Sequence, residues 1–282
     1  MAPLCLQRGV SNRGIQENKA MAKEKLYYGI DSGASATKVL LVDELRNIVA
    51  WRRAPSGPEI NAVARKCRNA LLKETIYTAS DIAATAATGY GRDQVTFADS
   101  TKTEIACQAK GCLHFFHPPF TIVDIGGQDN KIITLDENGK VAGFKFNRKC
   151  AAGTGAFLEE IAALLHISLA KLDSLACQAE APVKLGSFCT VFAKTEILAN
   201  FKRGTRTADI VAGAFESVMR RIIEMDPLNG EIVLTGGVVA CNPYTIGLFE
   251  RTLGKQVKVP FEPQFTGALG AALFALESEK EE

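Results

Sequence analysis

The sequence predicts an α/β protein built as two lobes. Three observations carry that reading: a strand, glycine turn and returning strand occur twice, 93 residues apart; strand-length apolar runs alternate with longer helical stretches; and 282 residues suffice for two compact lobes sharing a cleft. In the repeat, DSGASATKVLLVDE (31–44) lies over DIGGQDNKIITLDE (124–137). Asp31 meets Asp124, Gly33 meets Gly126, Lys38 meets Lys131, and Asp43–Glu44 meets Asp136–Glu137.

The first lobe is expected over residues 25–118. LYYGI is an apolar strand, DSGAS is its turn, and TKVLLV returns with period-2 patterning. A strand over Ile48–Arg52, a helix over Glu59–Lys73, a strand over Ile82–Thr88 and a helix over Lys102–Phe116 follow; HPP then stops the chain from continuing helical. The second lobe is expected over 119–282. FTIV and NKIITL repeat the first hairpin, and the ENG turn leads to a strand over Val141–Phe146. Helices follow at about Gly153–Leu165, Thr190–Phe201 and Ala208–Met225, then the strand EIVLTGG (231–237), a helix over Tyr244–Leu253, a short strand over Val257–Val259 and a closing helix over Gly267–Glu279. Residues 1–24 are polar and aperiodic, a tail outside the fold, with Met21 as a natural start and a transit-type leader as the other reading.

Composition excludes several classes. Apolar residues make up 47%, charged residues 23%, and a formal net charge of +2 provides no field for nucleic acid. No apolar run reaches the ~18–20 residues of a membrane span, and the first twenty residues lack the apolar core of a secretory signal, so a cytoplasmic protein is expected. Eight irregularly spaced cysteines do not form a small disulfide scaffold; in a reducing compartment they are core residues, nucleophiles or metal ligands.

A hairpin tip carrying Asp-x-Gly suits a phosphate chain. Glycine lets backbone N–H groups approach the oxygens, Lys and Ser or Gln add charge and donors, and Asp offers oxygen to Mg²⁺ through waters. One such turn is an ordinary loop, whereas two at matched positions point to one polyphosphate. Asp31, Asp124 and Gln128 are the candidate catalytic residues, with Asp31 and Asp124 on Mg²⁺; Ser32, Gly33, Ala34, Ser35, Lys38, Gly126 and Gly127 are the candidate phosphate contacts. Gly236–Gly237 in LTGGVVACNP ends a strand and opens a helix, a place for adenosine, and Gln264 is assigned to the same nucleotide.

DSGASATK, DIGGQDNK, LTGGVVACNP and FTGALGAALFA resemble, in order, the two phosphate segments, the adenosine segment and the second connecting helix of the ASKHA superfamily of sugar kinases, Hsp70 and actin. The resemblance implies two RNase H-like lobes with ATP between them. More narrowly, DIGGQDNK, KCAAGTGAFLEEIA, SFCTVFAKTEI and GALGAAL resemble the BadF/BadG/BcrA/BcrD ATPases, above all the short ATP-dependent activators of 2-hydroxyacyl-CoA dehydratases, over about Tyr28 to Ala275. The pattern departs at the N-terminal tail and at Lys194–Thr195, where acidic and small residues are expected; this bears on which electron acceptor fits the surface.

That resemblance also implies roles for Cys150 and Cys189: two subunits of a homodimer each give two thiolates to one [4Fe–4S] cluster. It implies an oxygen-sensitive, ATP-hydrolysing one-electron donor, a dehydratase component with its own iron–sulfur cluster as recipient, and a flavodoxin or ferredoxin as reductant. The residues agree with this. Each thiol just precedes a predicted helix, AGTGAFLEEIAALL or TVFAKTEILANF, where the macrodipole favours thiolate, and Asn147–Arg148–Lys149 is a polar lead-in to the first. No CxxC spacing allows one chain to complete a Cys₄ set from this pair.

The other cysteines read as structural. Cys107, Cys112, His114 and His117 form C-x₄-C-x-H-x₂-H, but five helical residues rotate by roughly 140°, so a helix ending at HFFHPP is expected in place of a zinc site. Cys67 fits an apolar helix face, Cys177 a connector, Cys241 the edge of the adenosine segment and Cys5 the tail. A small-molecule kinase on the same fold would need a catalytic carboxylate as base, which no further motif marks. An assembly ATPase would lack the metal, and an electron-transfer subunit of a benzoyl-CoA-reductase-type enzyme is the nearest alternative within the family.

Overall fold

The structure is a computed structural model that describes residues 8–10, 25–147, 150–186 and 189–281. The chain divides into two units. One runs to His117 and takes back the chain from Gln264 onward, and the other spans Pro118–Pro263.

The first unit is built on a six-stranded sheet of order β1-β4-β3-β2-β5-β6, from β1 (Arg8–Val10), β2 (Leu26–Ser32), β3 (Ala36–Asp43), β4 (Ile48–Pro55), β5 (Ile82–Thr88) and β6 (Ser100–Thr101). β2, β3 and β4 form an antiparallel meander, and β5 returns parallel to β2. Leu26, Tyr28 and Ile30 of β2 point into a core with Ile60, Ala64, Cys67 and Leu71 of α1 (Ile60–Leu72). On the other face, Tyr27, Leu40 and Val42 meet Ala268, Leu269, Ala272, Leu273 and Leu276 of the closing helix. A strand covered on both sides buries every residue, as β2 does.

The second unit repeats the plan. β7 (Phe120–Ile125), β8 (Asn130–Leu135) and β9 (Val141–Asn147) form an antiparallel meander, and β10 (Ile232–Thr235) returns parallel to β7. Between β9 and β10 the chain forms α3 (Gly155–Leu164), α4 (Leu172–Ala176), α5 (Thr190–Lys202) and α6 (Thr207–Met225); α7 (Gly237–Cys241) and α8 (Tyr244–Leu253) follow β10. One core joins Val123, Ile125 and Ile132 of the sheet to Phe157, Ile161, Ile197, Phe215, Val218 and Phe249 of these helices. The 93-residue sequence repeat is thus a repeat of sheet topology.

Three expectations change. The range 119–282 does not stay together: the closing helix, α9 (Thr266–Glu281), packs in the first unit against β2 and α2 (Glu104–Leu113). Small residues set that path, because a Cβ on Gly29 would lie 1.9 Å from the Ala268 carbonyl oxygen, one on Gly111 2.1 Å from that of Thr266, and one on Gly270 1.9 Å from that of Cys107. The tail assigned to residues 1–24 contains β1, whose Arg8–Val10 pair antiparallel with Ala50–Arg52 of β4; residues 1–7 and 11–24, Cys5 and Met21 included, lie outside the described residues. The strand expected at Val257–Val259 reduces to one parallel bridge between Val233 and Lys258. No helix among the described residues is long and apolar enough to cross a membrane.

Candidate functional site

In the first hairpin, Asp31 ends β2 directly across from Lys38 on β3, and Lys38 Nζ lies 3.0 Å from Asp31 Oδ2. Asp31 is buried, while Ala34 and Ser35 at the tip are exposed. Ser56 braces the turn by donating to the Gly33 carbonyl at 2.5 Å, and its own N–H donates to the Ser35 carbonyl at 3.2 Å. Gly89, at φ +94°, passes so close that a Cβ there would sit 2.7 Å from Asp31 Oδ1; one on Gly267 would sit 3.3 Å from Asp31 Oδ2. The Ser32 hydroxyl is buried without a partner among the described residues.

The second hairpin reproduces this pair and adds to it. Asp124 and Lys131 are cross-strand partners with Lys131 Nζ 3.3 Å from Asp124 Oδ2, and the same ammonium lies 3.0 Å from Asp129 Oδ1. The Phe146 ring lies 5.1 Å from that nitrogen, and Lys131 and Asp124 are both buried. Thr235 donates its hydroxyl to Asp124 Oδ1 at 3.3 Å. The turn closes through Gly126 N donating to the Asp129 carbonyl at 2.9 Å, and Gln128 at its tip is exposed. Gly236, at φ +97°, passes with a would-be Cβ 2.4 Å from the Ile125 carbonyl and 2.7 Å from Asp124 Oδ1. Each carboxylate therefore has a lysine across the ladder and a glycine from a neighbouring loop against it. Burying such a charge demands the compensating ammonium.

Lys131, Asp129, Gly89 and Gly267 were not among the candidate site residues. Lys131 was visible as the counterpart of Lys38; the glycines carried no local signal, because their role is close approach from distant segments. Gly237 opens the five-residue α7, with open space where a Cβ would point. Gln264 is buried in the first unit, where its Oε1 accepts from Arg53 Nη1 at 2.8 Å.

Cys150 and Cys189 are both exposed and both lie in the second unit. Cys189 is the N-cap residue of α5, as expected, and its carbonyl accepts from Ala193 N at 2.8 Å. Cys150 differs from expectation. α3 begins at Gly155 with Thr154 as its N-cap, so a turn separates the Cys150 thiol from the helix. Of its lead-in, Arg148 and Lys149 lie outside the described residues. Val191 and Phe192, just beyond Cys189, expose 69% and 65% of their surface, which makes the start of α5 an apolar patch. Lys194 pairs with Glu160 of α3 at 2.6 Å.

Cys107 and Cys112 are buried on α2, and burial pushes the Cys107 thiol up to about 12. Among the described residues no group of three or more His, Cys, Asp and Glu is placed to hold a metal ion.

Comparison with known proteins agrees with this geometry. The chain is 38% identical over 251 residues to the (R)-2-hydroxyglutaryl-CoA dehydratase activating ATPase of Acidaminococcus fermentans, covering 88% of this chain and 95% of that one. Its structure is similar to that of the activator of the 2-hydroxyisocaproyl-CoA dehydratase from Clostridium difficile with bound ADPNP, at TM-score 0.84 and 34% identity over 91% of this chain and 96% of that one. A ROK family glucokinase from Streptomyces griseus shares the ASKHA-type fold alone, at TM-score 0.53 and 14% identity, covering 89% of this chain and 98% of that one. With residues 28–275 matching its sequence pattern, the chain belongs to the BadF/BadG/BcrA/BcrD ATPase family.

Proposed function

We propose that this protein is an ATP-hydrolysing one-electron donor that activates a 2-hydroxyacyl-CoA dehydratase. One observation carries the reading: a single unit holds both a buried carboxylate–lysine hairpin of the phosphate-binding kind and the exposed Cys150 and Cys189, two of its three exposed cysteines. In this reading Asp31 and Asp124 offer oxygen, through waters, to the Mg²⁺ that accompanies ATP. The N–H groups around Gly33, Ala34, Ser35, Gly126 and Gly127 receive the phosphates, Lys38 and Ser32 add charge and a hydroxyl, and exposed Gln128 orients the attacking water. Gly236 and Gly237 receive the adenosine.

Cys150 and Cys189 would supply two of the four thiolates of a [4Fe–4S] cluster, both being exposed, and a second copy of the chain would supply the other two across a two-fold axis. When bound, such a cluster supplies one-electron redox chemistry. The exposed Val191 and Phe192 then become interface residues that keep water from the thiolates. For one electron, ~59 mV corresponds to ~1.4 kcal/mol, so part of the hydrolysis energy suffices to make a stronger reductant. The recipient is a dehydratase component and the reductant a flavodoxin or ferredoxin. The test is anaerobic activation of a 2-hydroxyacyl-CoA dehydratase by the iron-loaded protein: activation should require MgATP and be lost in Asp124→Asn and in Cys150→Ser. Activation that proceeds without ATP would overturn the proposal.

A further inference from the structure

Two asparagines at one end of the second sheet join the phosphate-type turn to Cys150. Asn130 opens β8, Asn147 closes β9, and the two are cross-strand partners. Asn130 is fully buried and its Nδ2 donates to the Gly153 carbonyl. Asn147 Nδ2 donates to the carbonyls of Cys150, at 3.3 Å, and Ala152, at 3.2 Å. The same segment is tied by its backbone to the turn itself, Gly155 N donating to the Gly126 carbonyl at 2.9 Å and Ala156 N to that of Gly127 at 2.7 Å.

No slack separates the two segments. Gly153 has φ +83°, and a Cβ there would lie 3.3 Å from Asn130 Nδ2; a Cβ on Gly155 would lie 3.1 Å from Gly127 Cα and 3.2 Å from the Gly126 carbonyl oxygen. Thr154 closes the remaining turn by donating its hydroxyl to the Ala151 carbonyl at 2.7 Å. A displacement of residues 126–130 must therefore be taken up by residues 150–156, since close-packed, hydrogen-bonded segments move together.

We propose that Asn130 and Asn147 are positioning residues that couple the 126–130 turn to Cys150, so that a nucleotide on the turn changes access to that thiol. This rests on the function proposed above, in which the turn meets phosphate and Cys150 is a thiolate ligand. Asn130 grips the loop from the nucleotide side and Asn147 holds the Cys150 carbonyl from the cysteine side, so the amides extend the backbone ties between the turn and the loop as far as Cys150.

The test uses the metal-free full chain under anaerobic conditions. Alkylation by iodoacetamide is followed at each cysteine by mass spectrometry, with and without Mg-ADPNP, while calorimetry measures nucleotide affinity. Exposed Cys177 serves as the reference thiol. The nucleotide should change the Cys150 rate about fivefold or more relative to Cys177, in the range of ordinary allosteric coupling. In Asn130→Ala and Asn147→Ala the change should shrink to about twofold or less, with affinity close to wild type. Asn147 is only half-buried, so Asn147→Ala carries the test alone if Asn130→Ala does not fold. Nucleotide binding without a Cys150 response, or a full response in Asn147→Ala, overturns the coupling and leaves the ATPase reading standing; failure of the wild type to bind nucleotide overturns both.

Discussion

Asp124 carries more of the proposed chemistry than any other side chain. Its Oδ2 faces Lys131 and its Oδ1 accepts from Thr235, so the carboxylate is held in one orientation before any ligand arrives. Asp124→Asn should lower ATP turnover about tenfold or more, ~1.4 kcal/mol of barrier, with unchanged circular dichroism; wild-type turnover would remove Asp124 from the mechanism. Lys131→Met leaves Asp124 and Asp129 without their shared ammonium and should cost about 3–5 kcal/mol in denaturant unfolding, as breaking a buried pair does. Thiol chemistry separates the cysteines: iodoacetamide at pH 8 should label exposed Cys150, Cys177 and Cys189 in metal-free protein. It should spare Cys107, held near 12, and Cys67, pushed up by burial. The repeat made Asp31, Asp124 and their lysines legible in the sequence. Asp129 was not, because its place beside Lys131 depends on how tightly the Gly126 turn closes.

Among the elements, α9 shows how distant segments decide a placement. The FTGALGAAL run announces a helix with one face of small residues, but nothing local says which sheet that face will meet. Gly29, Gly111 and Gly270 answer the question only once β2 and α2 exist beside it. Gly29→Ala should force α9 away from β2 and cost about 1–3 kcal/mol, read as a lower Tm. α6 offers a pH test. Asp209 Oδ1 accepts from Ala181 N at 2.9 Å and Glu180 N at 2.8 Å, and these backbone donors, the Ala181 bond foremost, hold its carboxyl below the usual range. Its contribution is therefore complete above about pH 5, where an unfolded Asp is fully ionised, and is lost as pH falls through the lowered value. Asp209→Asn should flatten the acid limb of a Tm-against-pH curve; an unchanged limb would assign acid sensitivity elsewhere. The hairpins and most helices were readable from period-2 and helical patterning, whereas β1 was not, since Arg8–Val10 lacks the apolar alternation that marks a strand.

At the scale of the whole molecule, the account turns on assembly. Three cysteines are exposed, Cys150, Cys177 and Cys189, and no group of three or more metal-ligating side chains stands together among the described residues, so a complete cluster calls for a second chain. In the sequence the two helix starts and the polar Asn147–Arg148–Lys149 lead-in speak against core positions for these thiols, and the family resemblance does most to single out Cys150 and Cys189 as a pair. The most direct measurement is the iron content of the anaerobically purified protein, taken with its mass in solution, for wild type, Cys150→Ser and Cys189→Ser. The account predicts about four iron atoms per dimer in the wild type, the content of one [4Fe–4S] site, with both variants colourless and less dimeric because each substitution removes two ligands. Iron retained after Cys150→Ser, or about four iron atoms on a monomer, would contradict it.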